Sequence, residues 1–221
     1  MDDSPPRLLL VSPLLDREGA VQAVEKALAV AEAVDIAALL LRGGGLDDAA
    51  FGRCLAPLLR TAQSQGIAVL LEDRPELLAS SGADGLHLTL GDTPGGTPVG
   101  KGPRLKDLRA RLGADVILGA GCGASRHLAM TAGEQGADYI GFGDPEGAPE
   151  GGGAADPEMV AWWEAVMTPP QVAFGAADPA EAARLAAAGA DFVAAGPALW
   201  ASGGDPAAAL EALQRALAEA R

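Results

Sequence analysis

Eight short apolar runs punctuate the chain at intervals that a strand-helix repeat would produce: Arg7–Val11, Ile36–Leu41, Ile67–Leu71, Gly85–Leu90, Val116–Gly119, Tyr139–Phe142, Gln171–Phe174 and Phe192–Ala195. Each is too short for a helix and too continuously apolar for a strand with one wet face, so each reads as a buried parallel strand. Between them lie segments rich in Ala, Leu, Glu and Arg with helical spacing, such as Ala20–Val34, Asp48–Gln65 and Pro179–Ala188. Alternation of this kind predicts a parallel sheet covered by helices. Eight units in 221 residues favour a closed sheet over an open doubly wound one, hence an α/β fold of the single (β/α)8 TIM-barrel type, one domain over 1–221.

A repeat supports this reading. Gly-Ala-Asp precedes an apolar run at Gly82, Gly113, Gly136 and Gly189, at intervals of 31, 23 and 53 residues, the last close to two units. Each Gly suits the left-handed position that ends a helix, and the run after the Asp begins the next strand. The segment Gly143–Ala155, with Asp144, Pro145, Glu146 and five glycines, follows the sixth strand and reads as a mobile loop at the functional end of the barrel.

Composition narrows the partners. With 16 basic and 30 acidic residues the net charge is −14, which repels nucleic acid and anionic lipid over most of the surface. Two cysteines and two histidines supply neither a disulfide framework nor a zinc cluster, which suggests a reducing, cytoplasmic setting. The acidic, polar start Met1–Pro6 lacks the features of a secretory signal, and no stretch of about 18 uncharged apolar residues predicts a membrane span. An anionic ligand therefore needs a local site of backbone N–H groups and a few basic side chains.

The strand ends supply candidates: Leu40-Leu41-Arg42-Gly43-Gly44, Leu71-Glu72-Asp73-Arg74, Gly82-Ala83-Asp84-Gly85-Leu86-His87-Leu88, Gly119-Ala120-Gly121-Cys122, Gly136-Ala137-Asp138-Tyr139-Ile140-Gly141-Phe142-Gly143 and Val172-Ala173-Phe174-Gly175-Ala176. Taken in this order they resemble the thiamine phosphate synthases and the related thiazole tautomerase-like proteins over nearly the whole chain. The resemblance implies a transferase that joins an aminopyrimidine pyrophosphate to a thiazole phosphate with Mg²⁺, releasing pyrophosphate. A multiply charged leaving group demands a divalent ion held by carboxylates, together with cations or N–H donors aimed at its oxygens.

Carried over residue by residue, the resemblance implies that Arg42 and Asp73 are catalytic and that Asp73 and Asp92 hold Mg²⁺. Arg42, Arg74, Gly121, Cys122 and Gly143 would contact a small phosphorylated substrate, and Gly175, Ala176 and Gly196 end strands seven and eight, where barrels often place a phosphate. Plainer readings stand beside these. Asp73 is also a helix cap, Asp92 part of a turn, Arg42 and Arg74 surface arginines, and each glycine only a turn residue. His87 alternates with leucines and reads as a satisfied core histidine, His127 as an exposed helix-start residue, and Trp162 and Trp163 as packing or an interface. A homodimer is what the resemblance suggests.

Departures from the family pattern concentrate on chemistry. Its Gln and Lys after the second strand are Leu40 and Gly44, its Asn is Glu72, its Gly-Gln is Thr89-Leu90, and its fifth-strand hydroxyl is Gly121. The loop after strand six carries Asp144-Pro145-Glu146 in place of Thr and Lys. Losing two cations weakens leaving-group stabilisation by roughly a few kcal/mol per donor in a dry site. Lys101, Arg104 and Lys106 are possible replacements. Three readings remain open here: a divergent synthase, a non-catalytic relative that binds a pathway metabolite, and an isomerase acting on a thiazole phosphate.

Overall fold

The computed structural model describes residues 5–91, 105–146, 153–200 and 205–220. Eight parallel strands close into a barrel in sequence order. They are β1 (Arg7–Leu14), β2 (Ile36–Arg42), β3 (Ala68–Glu72), β4 (Gly85–Thr89), β5 (Ile117–Gly121), β6 (Tyr139–Phe142), β7 (Gln171–Ala173) and β8 (Phe192–Ala195), and β1 closes on β8 through the pairs Arg7 to Phe192 and Leu10 to Ala195. The predicted closed barrel is the observed fold. Every predicted strand is present, most within two residues of the predicted ends; β1 runs three residues further.

Outside the barrel lie α1 (Ala20–Leu28), α2 (Asp48–Ser64), α3 (Pro75–Ser81), α4 (Leu105–Leu112), α5 (Arg126–Glu134), α6 (Pro157–Val166), α7 (Pro179–Ala187) and α8 (Pro206–Glu219). Three of them start on the dipeptide Asp-Pro: the Asp156, Asp178 and Asp205 side chains accept backbone N–H bonds from Glu158, Glu181 and Ala207, and each proline fills the first helical position, where no N–H is needed. The first predicted helix, Ala20–Val34, stops at Leu28 and continues only as turns. Among the described residues no helix is long and apolar enough to cross a membrane.

The Gly-Ala-Asp repeat is a device for stacking the strands. Gly82, Gly113, Gly136 and Gly189 all have positive φ at helix ends, as expected. Three of the four aspartates then reach back to the start of the preceding strand: Asp84 accepts the N–H of Val69 at 2.7 Å, Asp138 that of Leu118 at 2.7 Å, and Asp191 that of Gln171 at 2.8 Å. These carboxylates satisfy backbone donors at the N-terminal mouth, away from the end where barrels carry their chemistry.

Alternation along each strand splits the core into two layers. Leu8, Leu10, Leu39, Leu41, Val69 and Leu71 face the helices, while Leu9, Val11, Leu40, Leu70, Tyr139, Val172, Phe174 and Ala194 fill the barrel. The large rings fit because glycines lie opposite them. A Cβ on Gly119 would come within 1.9 Å of the Tyr139 ring, and one on Gly141 within 2.6 Å of Phe174.

Candidate active site

The C-terminal mouth holds a cleft of about 830 Å³ bounded by the ends of β2 to β6. Its charged floor comes from neighbouring strands. The pairing of Leu41 with Leu71 sets Arg42 of β2 beside Glu72 of β3, and Asp73 follows at once. Arg42 is 6% exposed, and its backbone N–H donates to the Ser12 hydroxyl at 3.0 Å, which locks the strand end. Its Nε donates to Glu72 at 3.0 Å and one terminal nitrogen to Glu146 at 2.5 Å. Burial disfavours the Arg42 charge, but the two carboxylates outweigh it and hold the pKa above the ordinary value. Burial in turn pushes the Glu72 carboxyl up, against the pull of Arg42.

Asp73 is the strained residue of the site. At φ 48° it is the one described non-glycine residue in the left-handed region, where Asp and Asn are the best tolerated side chains. Its N–H donates to the His87 carbonyl at 3.0 Å and its carboxylate accepts the Thr89 N–H at 2.9 Å, so β4 fixes it from both sides. It does not cap α3, whose first turn is preceded by Arg74 with no side-chain cap. Burial raises its pKa to about 6, with Glu72 adding to the rise, and among the described residues no cation pairs with it. A half-buried carboxylate held in a strained backbone, with no counter-charge among the described residues, is one that a cation could pair with.

The remaining candidates separate into two groups. Gly121 and Gly143 line the cleft, as does Arg74. The Arg74 guanidinium, however, is engaged with Asp48 at 2.7 Å and the Leu46 carbonyl at 2.6 Å and lies over the Phe51 ring, so it secures the turn into α2. Cys122, Gly175, Ala176 and Gly196 are not at the cleft surface. The Cys122 N–H is spent on the Gly141 carbonyl at 2.8 Å, and burial pushes its thiol up to about 12. Gly175 lies against Ala154, and Gly196 faces the Pro145 carbonyl, so both ends of the segment after β6 cover the β7 and β8 turns. The centre of that segment, the expected mobile loop, lies outside the described residues, as do Asp92, Lys101 and Arg104. Lys106 is exposed on α4.

His87 points into the barrel, where its Nδ1 meets the Tyr139 hydroxyl at 2.7 Å. Burial lowers its pKa to about 3, so it is neutral at any working pH. It is only half satisfied, since Nε2 has no partner and lies 2.7 Å from where a Cβ on Gly121 would be. His127 is exposed at the start of α5, as expected; Trp163 packs internally with its N–H on the Pro169 carbonyl, and Trp162 stacks under Arg126.

A sequence profile described as thiamine monophosphate synthase matches residues 8–199. The chain belongs to this family. It is 38% identical over 211 residues to a thiamine-phosphate synthase of Rhodospirillum centenum, covering 95% of this chain and 96% of that one. To the thiamine-phosphate synthase of Hyphomonas neptunium it is 39% identical over 213 residues, covering 93% and 91%. The fold agrees with that of a thiamine phosphate pyrophosphorylase from Pyrococcus furiosus, with a TM-score of 0.79 at 20% identity over 97% of this chain and 96% of that one.

Two departures from the synthase family pattern acquire a physical reason in the structure. Gly44, where the family pattern has Lys, has φ 57°, and a Cβ there would meet the Asp16 carboxylate at 2.5 Å. Asp16 also accepts the Gly45 N–H at 2.8 Å, so an acid closes this turn, and a side chain at position 44 would have to displace it and adopt a left-handed backbone. Glu72 and Glu146, the acids gained after strands three and six, both pair with Arg42. Their partnership was missed in the sequence, although two added acids beside one retained arginine were its signal. Among the described residues seven acidic and two basic side chains line the cleft, a charge balance that opposes a bare polyanion.

Proposed function

We propose that the chain is a thiamine phosphate synthase acting on an aminopyrimidine pyrophosphate and a thiazole phosphate. The observation that carries the reading is Asp73, a strained and counter-charge-free carboxylate beside Arg42 at the mouth of a synthase-family barrel. Mg²⁺ is the cation it would meet. Asp73 would hold the ion, with Asp92 completing the carboxylate pair by resemblance, and the metal would neutralise charge on the departing pyrophosphate. Mg²⁺ keeps several waters and takes one or two carboxylates together with substrate phosphate oxygens, so it needs no all-protein cage.

The residues of the chain do the rest. Arg42 offers planar N–H donors to the phosphoryl oxygens, with Glu72 fixing the guanidinium plane. The Thr89 N–H and the β4 backbone keep the Asp73 carboxylate aimed into the cleft. Gly121 and Gly143 present backbone to the cleft, while the side chains they lack make room for His87 and for the segment after β6; the turns at Gly175, Ala176 and Gly196 would serve a phosphate by resemblance. The partner class is a small phosphorylated metabolite. A cytoplasmic site of action suits the free Cys54 and Cys122, and homodimerisation is proposed on resemblance alone.

The test is turnover of the two substrates by the purified chain, followed as thiamine phosphate formed. We expect Mg²⁺-dependent product that disappears on chelation and returns on re-addition. Absence of product at saturating substrates and Mg²⁺ would overturn the reading.

A further inference from the structure

The two carboxylates on Arg42 are not equivalent. Glu72 sits on the adjacent strand, its side chain 18% exposed, and holds Nε at 3.0 Å. Glu146 comes from the segment after β6, 104 residues away along the chain, and its side chain is 57% exposed. Its own backbone N–H is held by the Asp144 carboxylate at 2.8 Å, which shapes the turn that delivers it. Breaking the buried pair strands a charge, whereas an exposed carboxylate can return to water at little cost. The terminal nitrogen that Glu146 occupies belongs to the guanidinium edge a phosphoryl group would use in a bidentate contact.

We propose that Glu146 is a built-in competitor for Arg42: it pairs with the guanidinium, must be displaced by the anionic substrate, and thereby sets the affinity of the cleft for pyrophosphate. The inference rests on the phosphate-ester reading of the cleft given above. Glu72 is the fixed positioning partner and Glu146 the exchangeable one. With both carboxylates in place the cluster of three is net negative; with Glu146 removed it is neutral, and a pyrophosphate gains both a free donor and relief from one repulsive charge.

The test is calorimetric titration with inorganic pyrophosphate in the presence of Mg²⁺, on the wild-type chain, Glu146→Gln, Glu146→Ala and Glu76→Gln. Glu76 lines the same cleft but pairs with Arg111, so its substitution removes one charge without touching Arg42. We expect both Glu146 variants to bind on the order of three- to tenfold tighter, as loss of an exposed ion pair and of a like charge implies, and Glu76→Gln to change affinity by less than about twofold. Unchanged affinity in both Glu146 variants, an equal gain in Glu76→Gln, or no pyrophosphate binding by any of the four proteins would overturn the inference. Turnover assayed in parallel separates the two readings. Product formation with unaltered affinity in the Glu146 variants rejects the competitor alone, and tightened binding without product rejects the synthase alone.

Discussion

The two halves of the barrel are built on different principles. From β1 to β4 the interior is filled by Leu9, Val11, Leu40 and Leu70, and the rim carries the charges Arg42, Glu72 and Asp73. From β5 to β8 the interior is filled by the rings of Tyr139 and Phe174, which share the space with Gly119, Gly121 and Gly141. The strands there end on Gly121, Gly143, Gly175 and Gly196, and among the described residues charge at the cleft is supplied only by the segment after β6, through residues such as Asp144 and Glu146. In the first half side chains act through charge and volume they possess. In the second they act through volume they lack. A substitution therefore harms the first half by removal and the second by addition, and the site lies where the two meet.

The largest effect should come from Asp73→Asn. Asn tolerates the same left-handed backbone and still accepts the Thr89 N–H, so the fold survives. Loss of the carboxylate should lower kcat by about 10²–10³, the range for removing one electrostatic contact to a developing charge. Stability should move the other way. The folded carboxyl titrates at about 6 against 3.8 for the free group, so the folded state holds its proton more tightly. That stabilisation is complete below pH 3.8 and is lost as pH rises through about 6. Above this window the ionised group costs roughly 3 kcal/mol. Thermal unfolding should therefore show Asp73→Asn ahead of the wild type at pH 7.5 and level with it at pH 4, with saturating Mg²⁺ narrowing the gap at pH 7.5. A variant less stable than the wild type at pH 7.5 would remove the case for an uncompensated charge.

Next in size are the two packing tests. Leu40→Ala leaves a cavity in the leucine half and should cost about 3 kcal/mol in denaturant unfolding. Gly119→Ala adds a methyl where the Tyr139 ring already lies and should cost about 2 kcal/mol, although it adds apolar surface. If Gly119→Ala were neutral, the distinction between the halves would fail. Tyr139→Phe keeps the ring but takes from the His87 imidazole its one hydrogen-bond partner among the described residues, and should cost about 1–2 kcal/mol with no change in the pH profile of turnover. The smallest effect is expected for Gly44→Lys. A lysine there meets Asp16 and a left-handed backbone, so stability should drop by about 1 kcal/mol and synthase activity should not rise. A clear rise in kcat would show that this turn can reopen.

Much of the architecture was legible because it is written in local patterns. The eight apolar runs, the Gly-Ala-Asp repeat and the Asp-Pro helix starts each encode a hydrogen-bonding or burial requirement satisfied within one repeat unit. The site was legible in part. Arg42, Asp73, Gly121 and Gly143 converge on one cleft, as expected from their places at strand ends. Cys122, Gly175, Ala176 and Gly196 also end strands, but whether such a residue reaches the cleft depends on which neighbour claims its N–H and which segment lies over it. His87 shows the same limit: alternation placed it in the core, and only the approach of Gly121 and Tyr139 reveals one satisfied nitrogen and one without a partner.

The amino-acid order alone determined the barrel, the direction of its strands and the end at which charge collects, because these follow from periodicity and from backbone groups that must be paired. Tertiary structure decided which charges meet. Glu146 is 104 residues from Arg42 along the chain, and Asp16 closes a turn that belongs to another unit of the repeat. Electrostatic partnership falls off with distance in space and is indifferent to distance in sequence, so Glu72 and Glu146, which in the sequence were only departures from the family pattern, prove to be partners of Arg42.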